Sequence, residues 1–228
     1  MLLFKIINFV SIKLSNFKIY RILILYKLNS KYKHFNKFRD FSFNSQSVFI
    51  DIGANRGKVS MYVSDYYNCK IFSYEPHPGA FKYLKKKFNN LNNIQIFNYA
   101  ISNKNSKQKF YLHKNDHYNG NTLLHSGSAS LEKDKNNLSK NNFIEVQTID
   151  ILAVISKYKY IDCIKIDIEG HEYEIFPVLI KNLHKIGKIV CEMHGNAENH
   201  KNFKEKYDYY LNYFKKKNLL NNKIYLWE

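Results

Sequence analysis

The chain has 228 residues, 45% of them hydrophobic and 24% charged, which is enough to bury one sizeable core and too few for two full domains. A formal net charge of +17 raises nucleic acid or an anionic membrane as partners, yet 33 of the 36 basic residues are lysine and 29 further residues are asparagine. That usage follows AT-rich codons, whereas phosphate recognition favours the bidentate arginine fork, so the total charge argues weakly for nucleic acid. Three widely spaced cysteines, Cys69, Cys163 and Cys191, exclude a disulfide framework and a cysteine-rich zinc site and point to a reducing, cytoplasmic setting.

The charge is uneven: residues 1–47 hold nine basic residues against one acidic. Residues 1–46 therefore read as a basic, apolar N-terminal segment ahead of a main domain over 47–228. Lys5, Lys13, Lys18 and Arg21 interrupt the apolar run, so no stretch approaches the roughly 20 residues that span a bilayer, and no small-residue cleavage site suggests export. At helical spacing Leu3, Ile6, Ile7, Val10, Leu14, Phe17, Ile24 and Leu28 share one face. Such a helix can rest in a membrane interface through residues 1–30, each lysine near an anionic surface adding about 1 kcal/mol. It can equally cap the core, which Phe4, Phe9, Ile12 and Ile22 on its other sides favour.

Ser47–Ile52 reads as a short buried strand, followed by a glycine turn and a helix from about Gly57 to Tyr67. Lys70–Tyr74 reads as a strand, Gly79–Phe88 as a helix and Ile94–Asn98 as a strand. This βα alternation implies a parallel sheet with helices on its faces, an α/β fold. Lys107–His113 and Phe143–Thr148 read as additional strands around a polar loop, 114–142. A short helix at about Asp150–Ser156, a strand at Ile161–Asp167, a helix at His171–Leu183, a strand at Lys188–Met193, a helix at Asn202–Lys217 and a last strand at Lys223–Trp227 complete the pattern.

Asp51-Ile-Gly53-Ala-Asn55-Arg-Gly57 closes the first strand. Two glycines allow a tight turn and a close backbone approach to a ligand. The spacing departs from the G-x-G-x-x-G of nicotinamide sites, and a carboxylate in the turn repels pyrophosphate but suits a cationic amine such as the tail of S-adenosylmethionine. Glu75 follows the second strand, where an acid accepts hydrogen bonds from an adenosine ribose, and Pro76 and Pro78 impose an ordered turn after it. Lys165, Asp167 and Glu169 alternate along the next motif, costly in a buried strand unless paired or placed in a site at its carboxyl end. Cys191-Glu192-Met193-His194 ends the fifth strand of the pattern and brings Glu192 and His194 as candidates for a base or for substrate contacts. Asp167, Glu192 and His194 are also chemically able to ligate a divalent cation, but no tight spacing marks such a site, and no metal is expected.

These blocks, Val48–Gly57, Tyr74–Pro78, Asn98–Ser102, Val146–Asp150, Ile164–Glu172 and Cys191–His194, resemble in order those of the FkbM-type methyltransferases, a branch of the class I S-adenosylmethionine-dependent fold, over roughly 46–195. The resemblance implies a Rossmann-like, mostly parallel sheet of about seven strands, with helices on both faces. It also implies S-adenosyl-L-methionine as cofactor and methyl transfer to a hydroxyl, often on a sugar or a lipid-linked polysaccharide precursor. It assigns the cofactor turn to Asp51, Gly53, Asn55 and Gly57, the ribose to Glu75, and the neighbourhood of the adenine to Asn98 and Ala100. Lys165, Asp167 and Glu169 would then face the reacting methyl, and Ser126, Ser128 and Ser130 would belong to a loop closing over the site. Asp167, Glu169 or His194 is expected to take the acceptor's proton, with Lys165 holding the carboxylates. The short stretch Asn218–Trp227 leaves room only for very short final strands. An RNA or protein acceptor, or a catalytically silent fold, remains the competing reading.

Overall fold

A computed structural model describes residues 38, 41–115, 126–195 and 203–226. By internal contacts the chain divides into a unit of residues 1–41 and a unit of residues 42–228. In the first unit only Phe38 and Phe41 are described, so the amphipathic helix expected over residues 1–30 lies outside the described residues.

In chain order the second unit comprises β1 (Val48–Ile52), α1 (Lys58–Tyr67), β2 (Lys70–Tyr74), α2 (Pro78–Lys87), β3 (Ile94–Phe97), β4 (Ala100–Ser102), β5 (Ser106–His113) and β6 (Leu138–Asp150). There follow α3 (Ile151–Ile155), β7 (Ile161–Ile166), α4 (Glu172–Lys181), β8 (Ile186–Cys191), α5 (Lys204–Lys216) and β9 (Ile224–Leu226). The expected elements therefore form close to their anticipated bounds. Local chemistry explains several of them. Pro78 occupies the first turn of α2, where its missing N–H costs nothing, and His77 Nδ1 accepts from Ala80 N–H. Asp150 caps α3 through Leu152 N–H, a contact worth about 1 kcal/mol.

Six strands pair in the order β3-β2-β1-β7-β8-β9, every pairing parallel. The sheet is thus α/β and Rossmann-like, with six parallel strands among the described residues, close to the expected number of about seven. Among the described residues, the chain after α5 supplies the three residues of β9. Ile50, Ile52, Ile164, Ile166, Ile189 and Cys191 of the central strands pack with Ile151, Val154 and Ile155 of α3, Tyr173, Phe176 and Leu179 of α4 and Phe214 of α5 in one core. Strands covered on both sides read as continuous apolar runs for this reason. The order reverses between β1 and β7, whose carboxyl ends open a crevice at this switch point.

The extra strands do not extend this sheet. β4, β6 and β5 form a second one, β4 parallel and β5 antiparallel to β6. The three-residue β4 was not anticipated, and β6 begins at Leu138, inside the stretch read as a polar loop. A small core of Ala100, Phe110, Leu112, Ala129 and Val146 holds this sheet together, and its edge becomes one wall of the site.

Candidate active site

The turn after β1 is built on backbone geometry. Gly53 has φ +78°, and a Cβ there would lie 1.9 Å from the Asp167 carbonyl oxygen, so only glycine lets β1 and the end of β7 approach. Gly57, at φ +65°, leaves no room for a Cβ against Leu84 and Phe88. Asn55, also at positive φ, donates its backbone N–H to Glu75 Oε2 at 2.6 Å, tying the turn to the end of β2.

Glu75 is almost fully buried, and its other oxygen accepts the His77 N–H at 2.7 Å. Burial pushes its pKa up to about 7, against the pull of those two hydrogen bonds and of the Lys165 charge. Asn98 does not line the pocket beside it: its amide donates to the carbonyls of Glu75 and Pro76 at 2.8 and 3.0 Å, holding the turn that carries the carboxylate. Ala100 does line it, with Ile101, Phe110, Ala129 and Leu131 as an apolar wall facing Gly53, Asn55 and Glu75.

Asp51 is enclosed rather than presented to a ligand. Ser60 Oγ donates to its Oδ2 at 2.6 Å, and Lys165 Nζ stands 3.2 Å from Oδ1. Lys165 also donates to the Gly53 carbonyl at 2.7 Å and lies 3.6 Å from Asp167. Burial pulls the Lys165 pKa down, but Asp51 and Asp167 overcome this and carry it above its ordinary value. Lys165 is accordingly a buried cation that braces the turn between two carboxylates.

Asp167 and Glu169 do face the pocket. Glu169 sits at φ +58° and forms an ion pair with Lys135, whose side chain is fully buried. Burial raises the Glu169 pKa even though Lys135 and His194 oppose it. Lys135, Ser130 and Glu132 come from the segment after β5: Ser130 Oγ donates to the Glu169 carbonyl at 2.9 Å, and Glu132 meets His171 Nδ1 at 2.6 Å. His171 Nε2 in turn lies 3.0 Å from Ser102 Oγ. The serine-bearing segment thus abuts the pocket, with Gly127 and Ala129 in its lining.

His194 Nδ1 is 3.1 Å from Glu172, a fully buried carboxylate that also accepts the His194 backbone N–H at 2.8 Å. Its Nε2 points toward Glu169 at 3.4 Å and Glu192 at 3.8 Å. Burial lowers its pKa, but the hydrogen bond and charge of Glu172, with Glu169 and Asp167, lift it to about 9.

Sequence reasoning overlooked Lys135, Glu132, His171 and Glu172 as members of the site. Glu172 and His171 lay inside the Ile164–Glu172 block. Lys135 had no signal, being one lysine of a polar stretch.

Residues 51–218 match the methyltransferase FkbM domain. Among curated proteins, the 2-O-methyltransferase NoeI of Sinorhizobium fredii (strain NBRC 101917 / NGR234) is 25% identical over 137 residues, covering 56% of this chain and 55% of that protein. The chain thus spans about half the length of that relative. The domain match takes in the glycine turn, the Glu75 turn and both acidic strand ends, over well more than half the sequence, and the chain belongs to the methyltransferase FkbM domain family.

Proposed function

We propose that the chain binds S-adenosylmethionine in the crevice between β1 and β7 and methylates a hydroxyl of a sugar or glycan acceptor. The observation that carries this reading is the pairing of Glu75 with the acidic strand ends across one pocket. Both Glu75 oxygens accept backbone N–H groups on one side and keep further lone pairs for vicinal ribose hydroxyls. The Ala100, Ile101, Phe110 and Leu131 wall suits a flat adenine, and Asp167 and Glu169 offer negative charge to a sulfonium and an ammonium. Among the described residues that line the pocket none is lysine or arginine, which fits a cofactor without phosphates.

S-adenosylmethionine supplies an already activated methyl group when bound. The protein's part is then to align an acceptor oxygen, a contribution worth up to about 7–11 kcal/mol. Lys165, paired with Asp51 and hydrogen-bonded to Gly53, fixes the turn against the end of β7. A pocket-facing carboxylate, Asp167 or Glu169, takes the hydroxyl proton, a step worth about 10²–10⁴-fold. The hydroxyl acceptor is supported by the name of the related 2-O-methyltransferase.

Among the described residues no helix is long and apolar enough to cross a membrane. Lipid-linked acceptors and a cytoplasmic membrane surface as working site rest on the basic segment of residues 1–46 alone, and co-sedimentation of the full chain with anionic against neutral liposomes tests them. Calorimetry with S-adenosylmethionine and S-adenosylhomocysteine tests the cofactor: binding heat is expected in the native chain and an affinity at least about tenfold lower in Glu75→Gln. Equal affinity in both, or no heat at all, overturns the assignment. Labelled methyl offered with separated glycan, glycolipid, RNA and protein fractions then identifies the acceptor.

A further inference from the structure

We propose that Asp167, Glu192 and His194 form a site for one hard divalent cation of the Mg²⁺ or Mn²⁺ class. Their spacing in sequence offers no such hint, but the fold brings one donor atom of each to within 4.8 Å of the others. Parallel pairing of β7 with β8 sets Ile166 beside Cys191, so the next residues of the two strands, Asp167 and Glu192, stand together. All three backbones are pinned: Asp167 N–H donates to the Ile52 carbonyl at 3.1 Å, Glu192 N–H to that of Ile166 at 2.9 Å, and His194 N–H to Glu172 at 2.8 Å. Ligands on fixed strand ends hold a coordination geometry better than ligands on loops.

The histidine carries the second, independent observation. Its ring is 4% exposed, and Nδ1 rests against the fully buried Glu172 carboxylate, which leaves Nε2 aimed at the acidic cluster. A carboxylate behind the ring is how proteins fix the tautomer and orientation of a metal-binding imidazole. Two carboxylates and one imidazole are a predominantly oxygen donor set, which selects hard divalent ions with several waters or substrate oxygens completing the shell. Asp167 and Glu192 remain 27% and 39% exposed, so the remaining coordination positions are open to solvent and to the pocket.

The ion's task rests on the methyltransferase reading, although the site itself does not. Asp167 also lines the donor pocket, so an ion on it would bind the acceptor oxygen, lower its pKa and leave Glu169 to receive the proton.

The test is a titration of chelator-stripped full-length protein with Mn²⁺, reading the electron paramagnetic resonance signal of free aqueous Mn²⁺. One Mn²⁺ bound per chain is expected, displaced by Mg²⁺, with affinity lowered at least about tenfold in Glu192→Gln and in His194→Ala. Glu192 is partly exposed, so Glu192→Gln keeps the test sound if His194→Ala unfolds. A free signal that tracks total Mn²⁺, or native affinity in a folded Glu192→Gln, overturns the site. S-adenosylhomocysteine calorimetry in chelator on the same sample separates the two readings. Cofactor heat without Mn²⁺ binding removes the ion alone, while Mn²⁺ binding without cofactor heat keeps the ion and removes the methyltransferase reading.

Discussion

Replacing Glu75 by glutamine should flatten the pH dependence of folding between about pH 5 and pH 7. Burial lifts the Glu75 pKa from 4.5 to about 7 in the folded chain, while the unfolded chain keeps the ordinary value. The folded state therefore holds the proton more tightly, and this group's contribution to stability is greatest below pH 4.5, declines as pH rises to about 7 and is constant above. At about 1.4 kcal/mol per pH unit the decline amounts to about 3 kcal/mol, or a fall of roughly 6–12 °C in midpoint for a domain of this size. Glutamine does not titrate. Its amide cannot accept both the Asn55 and the His77 N–H groups, which costs about 1–3 kcal/mol at every pH. Urea denaturation of both proteins at half-unit steps between about pH 5 and 8 isolates the term, because every other titrating group is common to them. The stability difference should shrink by about 3 kcal/mol across that range, in favour of the variant at high pH. Parallel curves would refute the buried, proton-linked placement of Glu75. The same ionisation should strengthen S-adenosylmethionine binding as pH rises through about 7 in the native chain only, since ribose hydroxyls donate to the carboxylate.

Gly53→Ala places a Cβ 1.9 Å from the Asp167 carbonyl at a φ of +78°; calorimetry should find cofactor binding lost, and circular dichroism a lower melting temperature, by more than the roughly 1–2 kcal/mol of the left-handed backbone alone. Lys135→Met strips the counter-ion from Glu169, whose side chain is 19% exposed, and should cost about 3 kcal/mol in urea denaturation. Adding Glu169→Gln should recover most of that loss, and additive costs would show that the pair is not coupled. Cys69, Cys163 and Cys191 are buried, and burial pushes the Cys69 thiol up to about 12 and the other two well above their ordinary value. A chromogenic disulfide reagent should therefore release colour from the folded chain no faster than it unfolds, and rapid reaction of any thiol under native conditions would contradict their placement.

The elements and the acidic turns were legible because their signals are local. Short, mostly apolar runs such as Val48–Ile52 and Ile161–Ile166, in alternation with helical stretches, read as strands of a parallel sheet, and Pro78 announces the start of a helix. What escaped depended on partners distant along the chain. The resemblance placed Asn98 near the adenine, whereas its side-chain N–H groups go to the carbonyls of Glu75 and Pro76. Asp51 looked available to a cationic amine, yet Lys165, 114 positions away along the chain, already pairs with it.

The charge shows the same division. The sequence by itself determined that lysine dominates, that the basic excess gathers before residue 48, and that carboxylates stand at the ends of four strands, since these are matters of identity and order. Only the tertiary structure decided which charges meet: Lys135, from a polar stretch, is buried against Glu169, and Glu172 and its neighbours raise the pKa of His194. The physical reason is that ionisation and pairing depend on distance and on exclusion of water, and parallel strands bring together residues that lie far apart in the chain.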